Sequence, residues 1–247
     1  MRSGSTCIVE AWGGVHSRVF WWLQNWYDAA YLWHTVLGTF SARVDFFGGK
    51  AVRLCFLGES FVNGTGDPEM LGWVGRVCAV ARQAVRDLTM YNLGIRRETS
   101  DQLLLRWEAE VERRLPSDAD PRLVFSFGVN DTTEEHGGIR VPIERSLANA
   151  QAILTVATRR CPTLFVGPPP VADDAAQNAR IGRLSLAYAE VCAGLGVPYL
   201  ETYAPLLRSQ VWQTEARAGD GAHPAAAGYA AMAALVQAWP AWLAWLR

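Results

Sequence analysis

The chain carries no surplus of charge of either sign: 23 basic residues face 24 acidic ones, a formal net of −1 over 247 residues. That balance excludes a broad basic field for a phosphate backbone, so no nucleic-acid partner is expected. Cysteine is sparse and scattered. Cys7, Cys55, Cys78, Cys161 and Cys192 form no CxxC pair and stand beside no histidine, which leaves neither a disulfide framework nor a zinc site. Such a set reads as reduced thiols in a cytoplasmic protein. No GxGxxG or GxxxxGK[ST] follows the first strand-like run, so a flavodoxin-like nucleotide binder is set aside and no nucleotide cofactor is expected. Internal repeats, low-complexity tracts and a second-domain linker are also missing.

No apolar run is unbroken enough to cross a bilayer. The candidate, residues 19–40, is interrupted by Gln24, Asn25, Asp28 and His34, and an aspartate at the centre of a span costs about 2.5–3.5 kcal/mol. No convincing small-residue cleavage site follows it, so a signal peptide is not expected either. Residues 1–50 do hold five of the eleven tryptophans, and Trp22, Trp26, Ala29 and Trp33 recur at helical spacing. Three readings stay open: a helix packed on its own domain or on a second subunit, a helix lying on a membrane surface, or a non-native upstream extension. Residues 1–50 are accordingly set apart as an aromatic-rich extension, and residues 51–247 as one domain.

From Ala51 the pattern alternates. Val52–Leu57 is a short apolar run suited to a strand buried on both faces. Residues 73–88 have helical periodicity, residues 89–93 read as a strand, and residues 100–115 as a helix capped by Thr99 or Ser100. A third strand over residues 122–127, a helix over Ile143–Arg160, a strand over Thr163–Val166, a helix over residues 173–195 and a strand over residues 197–200 follow. A loop then runs to His223, and Pro224 is expected at the first position of a last helix. This alternation predicts a parallel five-stranded sheet with helices on both faces.

Three polar sites follow strands or precede a helix: Gly58-Glu59-Ser60, Gly128-Val129-Asn130-Asp131, and Asp220-Gly221-Ala222-His223. Ligands of an open parallel sheet bind at the carboxyl ends of its strands, so these separated motifs are expected to converge on one edge. Together they meet the needs of acyl transfer. Ser60 offers a nucleophile, His223 a base, Asp220 a carboxylate three residues earlier to orient it, and Asn130 a side-chain amide for an oxyanion. Each motif alone has an ordinary alternative: a turn serine, a surface histidine, a loop carboxylate, or a loop-tying asparagine.

The stretches Phe56–Phe61 (FLGESF), Asn92–Thr99 (NLGIRRET), Phe127–Asp131 (FGVND) and Asp220–Pro224 (DGAHP) resemble, in order, the four sequence blocks of the GDSL, or SGNH, hydrolases. The resemblance covers the chain from about Val52 to its end. It implies a three-layer α/β/α, flavodoxin-like fold and a metal-free esterase, lipase, thioesterase or carbohydrate deacetylase acting on a small-molecule ester. It assigns Ser60, His223 and Asp220 as the triad, and Ser60 and Asn130 as oxyanion donors. Two positions depart from the family pattern. Glu59 stands where the family has aspartate, and Arg97 stands at the second block's donor glycine, with Gly94 three residues earlier. Arg97 keeps a backbone N–H and can serve the oxyanion with its turn at negative φ and its side chain swung out. Glu59, Gly94 and Asp131 are placed on the pocket's rim or directly behind it.

The short stretch between the first strand and helix supplies no lid, so short acyl chains are expected. Arg96 and Arg97 are expected to pair with Glu98, Glu134 or Glu135 rather than with substrate. The alternative function is a catalytically silent member that binds an acyl or sugar ligand, or docks a partner. The N-terminal segment leaves membrane-surface binding or self-association through residues 19–40 open.

Overall fold

A computed structural model describes residues 51–246. The aromatic segment before them, with its tryptophan stripe, lies outside the described residues.

The chain opens with β1 (Val52–Gly58), a one-turn helix α1 (Ser60–Asn63) and α2 (Gly72–Ala84), and continues through β2 (Leu88–Gly94), α3 (Ser100–Glu112) and β3 (Asp120–Ser126). After β3 come a 3₁₀ turn at Asn130–Thr132 and a small hairpin of β4 (Glu134–Glu135) and β5 (Gly138–Ile139). Then follow α4 (Ile143–Arg160), β6 (Thr163–Val166), α5 (Ala175–Leu195), β7 (Tyr199–Leu200), α6 (Tyr203–Leu207), α7 (Gln210–Ala218), α8 (Ala226–Gln237) and α9 (Pro240–Ala244). Five strands form one parallel sheet in the order β2-β1-β3-β6-β7. This is the flavodoxin-like order, whose crevice opens where connections leave β1 and β3 in opposite directions.

Alternation along β1 explains the three layers. Leu54 and Phe56 point into a core built with Trp73, Val77, Met232 and Trp242, while Cys55 and Leu57 point into another with Leu103, Trp107, Ile153 and Leu184. A period of two thus feeds both faces from one strand, and all four of these β1 side chains are at most 2% exposed. The described cysteines Cys55, Cys78, Cys161 and Cys192 are buried and unpaired, and burial pushes the Cys55 thiol up to about 12.

Some boundaries differ from the sequence expectation. The helix expected over residues 73–88 ends at Ala84, because Val85 turns to extended backbone. The expected loop to His223 contains α6 and α7, the latter capped by the Ser209 side chain on the Trp212 amide. Pro224 precedes the last long helix rather than opening it. α8 begins at Ala226, where the Glu215 carboxylate accepts from the Ala227 and Gly228 amides and supplies the cap that Ala225 lacks. Among the described residues no helix is long and apolar enough to cross a membrane. No group of three His, Cys, Asp or Glu side chains among them could hold a metal ion.

Candidate active site

Glycine 58 sets up the first corner of the site. It ends β1 at φ +155, and a Cβ there would sit 1.8 Å from the Ser126 carbonyl oxygen of β3. Only glycine lets the two strand ends approach so closely. The chain then reverses through Glu59 into α1, placing Ser60 as its first residue with its amide unpaired by the helix.

Ser60, His223 and Asp220 meet although Ser60 and His223 are 163 residues apart. The Ser60 Oγ is 2.7 Å from His223 Nε2, and His223 Nδ1 is 2.7 Å from Asp220 Oδ2. A carboxylate can only accept, so Nδ1 carries the ring proton and Nε2 is free to accept from the serine hydroxyl. The other carboxylate oxygen, Oδ1, takes the Ala222 and His223 amides at 3.0 and 2.9 Å. The imidazole lies 4.7 Å from the Phe61 ring, which stacks on Trp212. Trp212 is anchored by its indole N–H on the Pro170 carbonyl. These aromatic contacts fix the ring's tilt as the aspartate fixes its rotation.

Electrostatics favour a neutral base. Burial lowers the His223 pKa below its ordinary value, and the Arg96 cation adds to that, against the opposing pull of Asp220. Burial raises Asp220, but the His223 and Ala222 amides and the imidazole outweigh it and bring the carboxyl down to about 2. Both depressed groups contribute stability that is present above their ordinary pKa values and lost as pH falls. The imidazole is therefore still neutral, and able to act as a base, below the pH at which a free imidazole is half protonated. The acid limb of the kcat/KM profile is expected to centre below about 6.5. Arg96→Ala should move it upward; a wild-type limb at or above that value would contradict the burial argument.

The oxyanion side is arranged differently from the sequence expectation. Glu59 is 1% exposed, and its carboxylate accepts from the Val129 amide at 2.9 Å and the Asn130 amide at 3.0 Å. Its Oε2 also takes Asn130 Nδ2 at 2.5 Å. The second Nδ2 hydrogen goes to the Glu98 carbonyl at 3.1 Å, so both hydrogens of the Asn130 amide are committed within the protein. The extra methylene of Glu59, relative to the family's aspartate, is thus absorbed by a tie across to the loop after β3. Burial pushes the Glu59 carboxyl up to about 8, while the Asn130 and Val129 donors hold it down.

Arg97 sits at φ +66, not at the negative φ that a side chain prefers. Its guanidinium is swung out as expected, onto Glu135 at 2.7 Å, and its carbonyl accepts from Arg140 at 2.9 Å. The β4–β5 hairpin that carries Glu135 therefore braces the strained turn. The Arg97 amide has no acceptor among the described residues. Gly94 lies behind the nucleophile turn: a Cβ there would fall 2.3 Å from the Asn63 amide nitrogen. Asp131 is buried and bound to the Ser100 amide and the Ser146 hydroxyl, with no hydrogen bond to Ser60, Asp220 or His223. Arg96 pairs with Asp220 at 3.6 Å rather than with any of the three glutamates.

Three features carry too little local signal for the sequence to reveal them as part of the site. Arg106 ties the Leu93 and Gly58 carbonyls to Glu98, locking the ends of β1 and β2 together. Asp67 is buried and takes Arg76 together with the Gly72 and Glu69 amides, which fixes the loop after α1. Trp212 under Phe61 is the third. Only the Arg106–Glu98 pair, at i and i+8 across a helix start, has a local charge pattern that could have pointed to it. A pocket of about 400 Å³ opens beside His223 and Asp220, with Thr65, Arg96 and Glu215 in its wall.

The model of the GDSL-like lipase/acylhydrolase family matches residues 56–231, more than half of the chain, and the chain belongs to that family. Among solved structures it is similar to the lipase/acylhydrolase from Enterococcus faecalis, with 20% identity, a TM-score of 0.61, and 74% of this chain and 92% of that one covered. It is likewise similar to an acetylxylan esterase from Geobacillus stearothermophilus, with 19% identity, a TM-score of 0.62, and 76% and 93% covered. An alpha/beta hydrolase from the metagenome of Lake Arreo, Spain, gives 18% identity, a TM-score of 0.60, and 77% and 94% covered. At these identities the likeness is one of fold. No curated protein sequence matches the chain.

Proposed function

We propose that the chain is a serine esterase that hydrolyses short-chain carboxylic esters. The observation that carries this reading is the continuous line from Asp220 through His223 to Ser60, with 2.7 Å at each link. In the proposed reaction Ser60 attacks the ester carbonyl while His223 Nε2 takes its proton. His223 returns that proton to the departing alkoxide, and water then releases the acyl group by the same route reversed. Asp220 holds the tautomer and balances the transient imidazolium. The developing oxyanion is met by the backbone amides of Ser60 and Arg97 and by Asn130, which releases Glu98 to do so. In the similar acetylxylan esterase, catalytic mutants at a serine, an aspartate and a histidine have been solved, the aspartate three residues before the histidine as here.

A specific observation favours a second reading, a silent member that binds ligand without turnover: the amide of Asn130 is already committed. Turnover of nitrophenyl esters by the purified chain, absent in Ser60→Ala, separates the two. The short loop after α1, tied down by Asp67, supplies no lid over the serine. Nitrophenyl acetate and butyrate should therefore show higher kcat/KM than the dodecanoate, and the reverse order would refute the open pocket.

The chemistry is assigned to residues 51–247 alone. A chain beginning at Ala51 is expected to keep its kcat within a few-fold while losing any membrane-surface or self-association that residues 19–40 confer. A folded but inactive product would show that the N-terminal segment helps to build the site. The four cysteines among the described residues, buried and unpaired, fit a reducing compartment, and we assign the cytoplasm on that ground.

A further inference from the structure

A second cavity, of about 370 Å³, lies against the loop after β3 at Thr132 and shares no lining residue with the pocket beside His223. Its volume falls within the range of small-molecule sites, roughly 300–1,000 Å³. Ile139, Val141, Ile143 and Leu184 make its walls apolar, and Arg180 and Arg183 bring cations to it from α5. Ile139 and Ile143 are each 36% exposed, so part of this apolar wall faces water.

The two arginines differ from most others among the described residues. Arg76, Arg106 and Arg140 each hold a carboxylate. Arg180 spends only its Nε, on the Thr132 carbonyl at 2.8 Å, and pairs with no acid among the described residues. Arg183 has neither an ion pair nor a hydrogen bond among the described residues. The two stand three residues apart on one helix face, where like charges oppose each other. Glu144, beside Ile143 on α4, forms no ion pair with either. An apolar chamber with two unneutralised guanidinium groups is complementary to an apolar body that ends in an anion.

We propose that this cavity binds an amphiphilic monocarboxylate, an aliphatic chain lying among Ile139, Val141, Ile143 and Leu184 with its carboxylate on Arg183 and the terminal nitrogens of Arg180. A guanidinium presents paired N–H donors that match a carboxylate's two oxygens, which favours this head group over a neutral alcohol. The site makes no use of Ser60, so it stands independently of the esterase reading.

Octanoate titrated calorimetrically into the full chain tests it. Saturable binding at one site is expected, with octanol (no anion) and acetate (no chain) each about tenfold weaker or worse. Arg183 has no partner among the described residues, so Arg183→Ala should leave the melting temperature unchanged while weakening octanoate by about tenfold or more. Ile143→Trp, which fills the chamber from its lip, should abolish binding. No binding of octanoate, binding of octanol as tight as octanoate, or equal octanoate affinity in the wild type and Arg183→Ala would each overturn the proposal. Equal affinity would place the ligand elsewhere, the triad pocket included.

Discussion

Replacing Ser60 by alanine is expected to lower kcat on a nitrophenyl ester by about 10⁴-fold to a millionfold, and His223→Ala by a similar factor. The loss is large because the two side chains act as one unit. Without the hydroxyl there is no bond for the imidazole to activate, and without the imidazole the hydroxyl keeps its proton. The double variant should consequently be no worse than either single one. The fold should survive Ser60→Ala, because the hydroxyl has one partner, His223 Nε2, and a typical hydrogen bond contributes about 0.5–1.5 kcal/mol. Rate measurements paired with thermal unfolding check both halves, and turnover that persists unaltered in either variant would remove these residues from the mechanism.

Asn130→Ala is expected to reduce kcat by about a hundred- to a thousandfold with little change in KM, the cost of losing one oxyanion donor. The resting structure makes this a demanding expectation, since both amide hydrogens already have acceptors. The contact to the Glu98 carbonyl is the longer, at 3.1 Å, and Arg106 already engages the Glu98 side chain, so this is the bond to exchange for the oxyanion. Glu59 keeps the other hydrogen and thereby aims the amide. Arg97→Ala retains its backbone N–H and should cost under about tenfold, with some of that from losing the Glu135 pair that braces the turn at φ +66. If Asn130→Ala were harmless while Arg97→Ala was severe, the guanidinium rather than the amide would be meeting the charge.

Much of this arrangement is legible in the sequence. The parallel sheet follows from apolar runs alternating with helical periodicity. Its order, with β1 between β2 and β3, explains why motifs distant in sequence meet at one edge. The Asp220–His223 link is readable because three residues of loop hold both groups. The features that escape are set by contacts that leave little local pattern. α7 has few apolar positions and is held by Trp212 reaching under Phe61. α8 starts two residues beyond Pro224 because Glu215, on another helix, caps it. The state of Asn130 depends on how far the Glu59 carboxylate reaches, a tertiary distance that no spacing encodes. The positive φ of Arg97 likewise depends on a hairpin 38 residues away.

The central claim is that Ser60 is the activated nucleophile, and covalent labelling tests it most directly. The full chain, incubated with a serine-directed organophosphonate and digested, is followed by mass spectrometry. One equivalent of adduct should appear on Ser60, with parallel loss of esterase activity, and none should form in His223→Ala on the same timescale. An adduct on another residue, or no adduct on Ser60 while esters are still being turned over, would contradict the assignment.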